Sequence, residues 1–417
     1  MERIPPQPWM SVPETLAVIA ALSAGGSEVR FVGGCVRDAI VGRPVTDIDI
    51  ATPDPPRRVV ELLEAAGLKA VPTGIDHGTV TAVSHHRPYE ITTLRRDVET
   101  DGRRAKVAFT DDWVADAARR DFTFNALSCT PDGRIYDPFG GIADLAARRV
   151  RFVGAALARI REDVLRLLRF FRFYAHYGAP PPDGEALAAV AAMAPLLPTL
   201  SGERIANETL KLLGAPDPAP VLDLMRVHGV LTHFLPEGRR LDRLARLTAI
   251  ESAIDLPADP PRRLAASLDG GPAAARAVGE RLRLSKAQRR RLVEALKTPA
   301  PQPQAGRTGW RALRYRLTAE AYRDRALVAW ADSAAPADDA AWRDLLAVAD
   351  EAPAAFPIRA KDAVDRGAKP GPAVGALMRD LENWWIAGDF RADRAALLTE
   401  LSARLESSDH RGTEKRK

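Results

Sequence analysis

Two carboxylates two residues apart, Asp47 and Asp49 in Thr46-Asp47-Ile48-Asp49-Ile50-Ala51, are the first residues of this chain whose type and spacing suggest chemistry. In an extended strand, residues i and i+2 point to the same face, so both side chains aim one way with about 6–7 Å between them along the chain. Such a pair can bridge divalent metal ions about 4 Å apart, the arrangement that serves in-line phosphoryl or nucleotidyl transfer. A D-x-D alone is weak, since most are solvated turn carboxylates. Just upstream, however, runs Phe31-Val32-Gly33-Gly34-Cys35-Val36-Arg37-Asp38. Gly33 and Gly34, opening a helix, let backbone N–H groups come close to a triphosphate, and Arg37 one turn later is placed to neutralise it. Gly-Gly, arginine and D-x-D fall in order within 17 residues, a far stronger signal than any member alone. Two-metal sites commonly take a third carboxylate from an adjacent strand. Glu90, in Pro88-Tyr89-Glu90-Ile91-Thr92-Thr93-Leu94, is the candidate; the alternative is an exposed Glu on a strand's polar face.

A second stretch, Arg119-Arg120-Asp121-Phe122-Thr123-Phe124-Asn125-Ala126-Leu127, offers an arginine pair that suits phosphates or a ribose, or else a helix-end cluster pairing with Asp116 and Asp121. A third runs from Arg161 to Arg172. At about 100° per residue, Ile160, Val164, Leu167, Leu168, Phe171 and Ala175 gather into one core stripe. Asp163, Arg166, Arg169 and Arg172 step around the opposite arc, Arg172 falling far from Asp163. Asp163 and Arg166, at i and i+3, read either as a surface ion pair or as a base reader. In the second reading the carboxylate accepts from an exocyclic amino group while the guanidinium donates to the adjacent ring nitrogen. That matches the pairing edges of cytosine and adenine; guanine and uracil reverse the order and leave buried polar groups unpaired, a discrimination of as much as ~10⁴.

These residues need a sheet to carry them and helices to wall the cleft. Strand-like segments fall within about residues 28–140: Val29–Val32, Asp47–Ile50, Thr79–Val83, Tyr89–Leu94 and Ala126–Ser128, among turn signals such as Asp132-Gly133 and Gly140-Gly141. After about Leu145 the chain turns to long Ala/Leu/Arg segments of helical spacing, so an α/β head precedes an all-helical remainder. Pro257–Pro261 and Pro299–Pro303 break the helical part, the second marking a boundary before a C-terminal module, and the polar end from about Ser407 to Lys417 is expected to fray.

Composition narrows the classes. A chain of 417 residues exceeds one ordinary core, and 46% hydrophobic with 28% charged residues excludes wholesale disorder. Sixty Lys+Arg against 55 Asp+Glu leave room for a basic face that suits a polyanion. Cys35 and Cys129 match no metal-ligand spacing and read as reduced core thiols, and the seven histidines form no H-x-x-x-H pattern. A dinucleotide-binding reading fails for want of G-x-G-x-x-G. No apolar run approaches the ~20 residues that span a bilayer, and Leu16–Leu22 reads as an ordinary helix; no membrane association and a cytoplasmic location are expected.

Taken in order, Gly33-Gly34-x-x-Arg37-Asp38, Asp47-x-Asp49, Arg119-Arg120-Asp121-Phe122-Thr123, Asp137-Pro138-Phe139-Gly140-Gly141, Glu162-Asp163-x-x-Arg166-x-x-Arg169 and Ser201-x-Glu203-Arg204-x-x-x-Glu208 resemble the class II tRNA nucleotidyltransferase and bacterial poly(A) polymerase family. The match covers about residues 28–212. The resemblance implies an α+β, seahorse-like molecule: a nucleotidyltransferase head with a small mixed sheet over 1–145, a helical neck with base recognition over 146–213, a helical body over 214–300 and a helical tail over 301–417, the last two gripping the acceptor arm of tRNA. It implies that Asp47 and Asp49 are Mg²⁺ ligands and that Gly33, Gly34 and Arg37 meet the triphosphate. Arg120 is implied at the sugar or phosphates, Asp163 with Arg166 at the base, and Arg169 and Arg172 also in the nucleotide site. Leu94–Arg103 looks like the flexible loop of CCA-adding members, with an inert hairpin tip as the alternative. The implied function is template-independent addition of C, C and A to the 3′ end of tRNA from CTP and ATP. Poly(A) or A-only addition is the alternative within the class, and a non-catalytic RNA-binding protein on the same fold is the alternative outside it.

Overall fold

The computed structural model describes residues 3–101 and 104–414; Gly102 and Arg103, in the segment compared with a family loop, lie outside the described residues, as does the end of the expected frayed tail at 415–417. The architecture is α+β, with a mixed sheet near the N-terminus and helices thereafter.

The head opens with helices α1 (Pro8–Ser11) and α2 (Pro13–Ser23), then strand β1 (Arg30–Val32), helix α3 (Gly34–Ile40), strand β2 (Asp49–Thr52) and helix α4 (Pro56–Ala65). Strands β3 (Lys69–Gly74), β4 (Thr79–Ser84) and β5 (Arg87–Thr93) follow, then β6 (Arg95–Asp101), β7 (Arg104–Phe109), helix α5 (Trp113–Ala118), β8 (Ser128–Cys129), β9 (Ile135–Tyr136) and helix α6 (Gly141–Ala146). The seven-stranded sheet has the order β3-β4-β5-β2-β1-β8-β9, with β2 and β5 parallel. β4 alternates between partly exposed and buried residues, as a half-buried antiparallel strand must. β3 escaped the sequence pattern because it is an exposed edge strand with Pro72 inside it and no alternation.

One face of the sheet packs Val32, Ala51 and Leu94 against Trp113 of α5. On the other, Phe31 meets Trp9 edge-on at 4.9 Å and Tyr89 Oη lies 3.0 Å from Thr15 Oγ1 of α2. Cys35 and Cys129 are buried and unpaired, as expected of core thiols. The segment compared with a flexible loop is a paired ribbon: β6 and β7 run antiparallel from Arg95↔Phe109 to Asp101↔Arg104.

Beyond the head come α7 (Ala156–Glu162), α8 (Leu165–Tyr177), α9 (Gly184–Met193), α10 (Gly202–Leu213) and α11 (Ala219–Val227). The continuous helix expected across Asp163 is broken. Asp163 is extended, with φ −150° and ψ 108°, and its carboxylate accepts from the backbone N–H of Leu165 at 3.1 Å, so it ends α7 and caps α8. The stripe survives in α8, where Leu167, Leu168 and Phe171 are buried with Phe170, Phe173 and Tyr174.

Met1–Pro236 with Arg281–Arg283 forms one compact unit, and Glu237–Glu280 with Leu284–Lys417 a second. The second is helical. Glu251 on helix Leu241–Ala253 is buried between Arg262 and Arg263 of helix Pro260–Ser267, at 2.8 and 2.7 Å. Helix Ala319–Asp332 packs on helix Lys286–Ala295 across the Pro299–Pro303 stretch, Arg325 Nη2 meeting Glu294 at 2.8 Å. Its last helix is Arg394–Glu414, extending through the part expected to fray up to that residue. Among the described residues no helix is long and apolar enough to cross a membrane.

Candidate active site

The turn between β1 and α3 is built for close approach. Gly33 has φ +71°, and a Cβ there would stand 2.9 Å from Arg120 Nη1. From α3, Arg37 reaches inward: it pairs with Asp38 at 3.0 Å, donates to Asn125 Oδ1 at 2.6 Å and lies over the Tyr177 ring at 4.5 Å. The triphosphate candidate is therefore a buried, held guanidinium, not a free surface charge.

β2 brings Asp49 to the same place. Strand pairing begins at Asp49, so Asp47 precedes β2, yet Ile48 and Ile50 are buried while Asp47 is exposed and Asp49 partly so, which keeps the i, i+2 alternation. Glu90 is the register partner of Asp49 on parallel β5. Burial pushes the Asp49 carboxyl up to about 6, with Glu90 and Asp47 adding repulsion and Arg120 opposing it. Two neighbouring carboxylates thus act on the Asp49 side chain that lines the cleft.

Helix α5 and the residues after it supply the next wall. Asp116, 3% exposed, receives Arg119 Nε at 2.8 Å, Arg120 Nη2 at 3.3 Å and the backbone N–H of Arg95 at 3.2 Å. The bland expectation for the arginine pair is therefore met for Asp116, while Arg120 also lines the cleft. Asp121 turns the other way, accepting from Arg169 Nε at 2.6 Å and Asn125 Nδ2 at 2.9 Å. Burial works to raise its pKa, but Arg169 and these hydrogen bonds hold it below the usual carboxylate range.

α8 and α10 close the far side. Arg166 does not pair with Asp163. It meets Glu162 at 2.5 Å and donates to the carbonyl of Arg119 at 3.1 Å, because the break at Asp163 removes the helical i, i+3 geometry. Asp163 is held by Arg204 of α10. Arg172 stands 2.8 Å from Glu208 of α10, without the alignment of a hydrogen bond. Contrary to the arc reasoning, Arg172 shares a cleft with Asp163.

That cleft has a volume of about 490 Å³, in the range of small-molecule sites. Gly33, Gly34, Arg37, Asp49, Arg120, Asp163, Arg166, Arg169 and Arg172 line it together with Arg119, Asp121, Asn125, Leu165 and Phe173. Asp47 and Glu90 stand outside the lining, exposed beside Asp49. Asn125 and Arg204 carry no chemical signal in their local spacing; only contacts across the fold reveal them.

The sequence profile described as the poly(A) polymerase head domain matches residues 29–151, and that described as the probable RNA and SrmB-binding site of polymerase A matches 182–241. The chain thus carries stretches that match the head and RNA-binding domains described for poly(A) polymerases. It is 43% identical over 225 residues to mouse mitochondrial CCA tRNA nucleotidyltransferase 1, covering 53% of this chain and 52% of that one. It is 41% identical over 239 residues to the CCA-adding enzyme of Geobacillus stearothermophilus, covering 57% of each. The matched stretch thus spans little more than half the length of these curated relatives. Among solved structures, the Bacillus stearothermophilus CCA-adding enzyme in complex with CTP superposes with a TM-score of 0.81 at 27% identity, over 97% of this chain and 100% of that one. A Thermotoga maritima CCA-adding enzyme complexed with tRNA shares the fold, with a TM-score of 0.63 at 18% identity over 95% and 97%.

Members of the family generally use divalent metals. Here no group of three or more His, Cys, Asp or Glu stands close enough to enclose an ion among the described residues. The residues nonetheless fit one: the strained ionisation of Asp49 beside Asp47 and Glu90 is relieved by a cation, and Mg²⁺ ordinarily takes one or two carboxylates plus substrate phosphates.

Proposed function

We propose that this chain adds C, C and A to the 3′ end of tRNA from CTP and ATP, without a nucleic-acid template. The observation that carries the reading is one cleft flanked by the Asp49 carboxylate group at one side and the Asp163/Arg166 donor and acceptor at the other. Asp47 and Asp49 would hold Mg²⁺, with Glu90 as the neighbouring third carboxylate. When bound, the metal supplies charge neutralisation at the transferring phosphoryl group and an acidified 3′-hydroxyl.

The protein's own side chains do the rest. Gly33 and Gly34 let the backbone close on the triphosphate, and Arg37 and Arg120 neutralise it. Asp163 accepts from the exocyclic amine of cytosine or adenine and Arg166 donates to the ring nitrogen beside it, while Arg169 and Arg172 maintain the cationic wall. The terminal hydroxyl of the RNA then attacks the α-phosphorus: one P–O bond forms, the bond to pyrophosphate breaks, and the hydroxyl proton passes to solvent or base. The helices after residue 214, as body and tail, take the acceptor arm of the tRNA. The cytoplasm, where uncharged tRNA and both nucleotides meet, is the compartment we assign.

Incubation with Mg²⁺, a tRNA lacking CCA, and CTP or ATP singly and together tests the reading. Addition of two residues from CTP and one more when ATP is present is expected; failure to incorporate CTP rejects it. Long tracts from ATP alone would favour the poly(A) reading, which the name of the matching head profile keeps in view. Tight tRNA binding without turnover would favour a non-catalytic binder.

A further inference from the structure

Asn125 joins the two flanks of the cleft. Its Oδ1 accepts from Arg37 Nη1 at 2.6 Å and its Nδ2 donates to Asp121 Oδ1 at 2.9 Å, while Asp121 Oδ2 accepts from Arg169 Nε at 2.6 Å. Its backbone carbonyl also accepts from Arg120 at 3.4 Å. An unbroken polar series, Asp38, Arg37, Asn125, Asp121, Arg169, therefore runs from helix α3 under the Gly33-Gly34 turn to helix α8.

The amide orientation is dictated by its neighbours. A guanidinium only donates and an ionised carboxylate only accepts, so the carbonyl must face Arg37 and the amino group Asp121. A carboxylate in its place would face Asp121 as a like charge, and a cation would face Arg37. Asn125 is 7% exposed, so removing its amide would strand groups on both sides away from water.

We infer that Asn125 is a positioning residue of the nucleotide site: it fixes Arg37 on the triphosphate flank relative to Arg169 on the base flank, so that both ends of one nucleotide bind in a single register. The inference rests on the reading of the cleft as the nucleotide site.

CTP affinity and single-nucleotide extension, measured for the wild type, Asn125→Ala and Asn125→Asp, test it. Asn125→Ala raises KM for CTP and for ATP by about tenfold with a smaller change in kcat. Should it fail to fold, Asn125→Ser carries the same expectation. Asn125→Asp is the sharper probe. The groups facing the new carboxylate are Asp121, Arg37, Arg120 and Arg169, with Asp38 and Tyr177 behind Arg37. At about pH 8 the carboxylates at 125 and 121 repel; lowering the pH favours the protonated side chain at 125, which again offers a donor to Asp121 and an acceptor to Arg37. CTP affinity of Asn125→Asp relative to the wild type therefore recovers several-fold on lowering the pH from about 8 to about 6, while the ratio for Asn125→Ala stays flat. A flat ratio for Asn125→Asp, or an unchanged KM in both variants, overturns the role. A wild-type protein that binds no CTP overturns the nucleotide-site reading instead, so the two failures are distinguishable.

Discussion

Arg204 on α10 directs one nitrogen, Nη2, at both carboxylate oxygens of Asp163, at 3.0 and 2.9 Å. Both side chains are about one-fifth exposed, so the pair is partly screened yet orients a carboxylate that the helix break at Asp163 would otherwise leave loose. Because a base reader discriminates only while its donors and acceptors are fixed, Asp163→Ala is expected to lower selection for CTP and ATP over UTP and GTP from as much as ~10⁴ towards ~10. Arg204→Ala should produce a milder version, about tenfold, with Asp163 still present. Competitive incorporation of the four nucleotides measures both; unchanged selectivity in Asp163→Ala would remove the base-reading role.

Bound metal holds the Asp49 carboxylate ionised, so the acid limb of activity is expected below the pH of about 6 at which the metal-free carboxyl gains its proton. Replacing Glu90, its register partner, by Gln removes one repelling charge and so lowers the Asp49 pKa. Activity of Glu90→Gln should fall about tenfold or more at pH 7.5 through the lost carboxylate, while the residual acid limb moves to lower pH. A pH–rate profile of both proteins decides; an unmoved limb contradicts the coupling.

Asp49 also links pH to stability of the metal-free protein. Its folded pKa of about 6 lies above the ordinary carboxylate value of 3.8, so the folded state binds more protons between the two. Its favourable contribution is complete below about pH 4 and is lost as pH rises through about 6. Asp49→Asn is therefore expected to stabilise the chelator-treated protein at pH 7.5 by up to about 3 kcal/mol and to change little at pH 4. It should also abolish any stabilisation by added Mg²⁺. Thermal melts at the two pH values, with and without the ion, report the sign.

Gly33→Ala forces a Cβ into a left-handed conformation at a cost of about 1–2 kcal/mol and places it 2.9 Å from Arg120 Nη1. Lower melting temperature together with weaker CTP binding is the expected pair of results. Loss of stability with unaltered CTP affinity would show that Arg120 adjusts without consequence for the nucleotide.

In the second unit, Glu251 is 1% exposed between two arginines that are each 4% exposed. Glu251→Gln removes the carboxylate shared by two buried guanidiniums, of which Arg262 keeps Asp324 at 3.6 Å, so a loss of about 3 kcal/mol is expected in denaturant titration. Extension rates of the fraction that remains folded should match the wild type.

Much of the head was legible because its chemistry is local. The i, i+2 spacing of Asp47 and Asp49 needs only a strand to align the two, and Gly33 needs only a left-handed turn. The helix pattern around Leu167, Leu168 and Phe171 likewise reports its own buried face. What periodicity missed was the break at Asp163. Residues on both sides favour a helix, and only the capping carboxylate, held by Arg204 and by the Leu165 N–H, makes the interruption stable. Edge strand β3 was missed for the opposite reason: it buries too little to impose a pattern.

The amino-acid sequence thus determined which groups are available: the acidic pair, the glycine turn, and a series of arginines at helical spacing. Which arginine meets which carboxylate was decided by the tertiary structure. Arg166 went to Glu162, Arg204 to Asp163 and Arg169 to Asp121, while Arg37, paired with its neighbour Asp38, also reached the amide of Asn125. The reason is physical: a buried charge must find an opposite partner, and the nearest one in space is set by how helices and turns pack, over separations of up to 48 residues among these pairs that no local spacing rule can read.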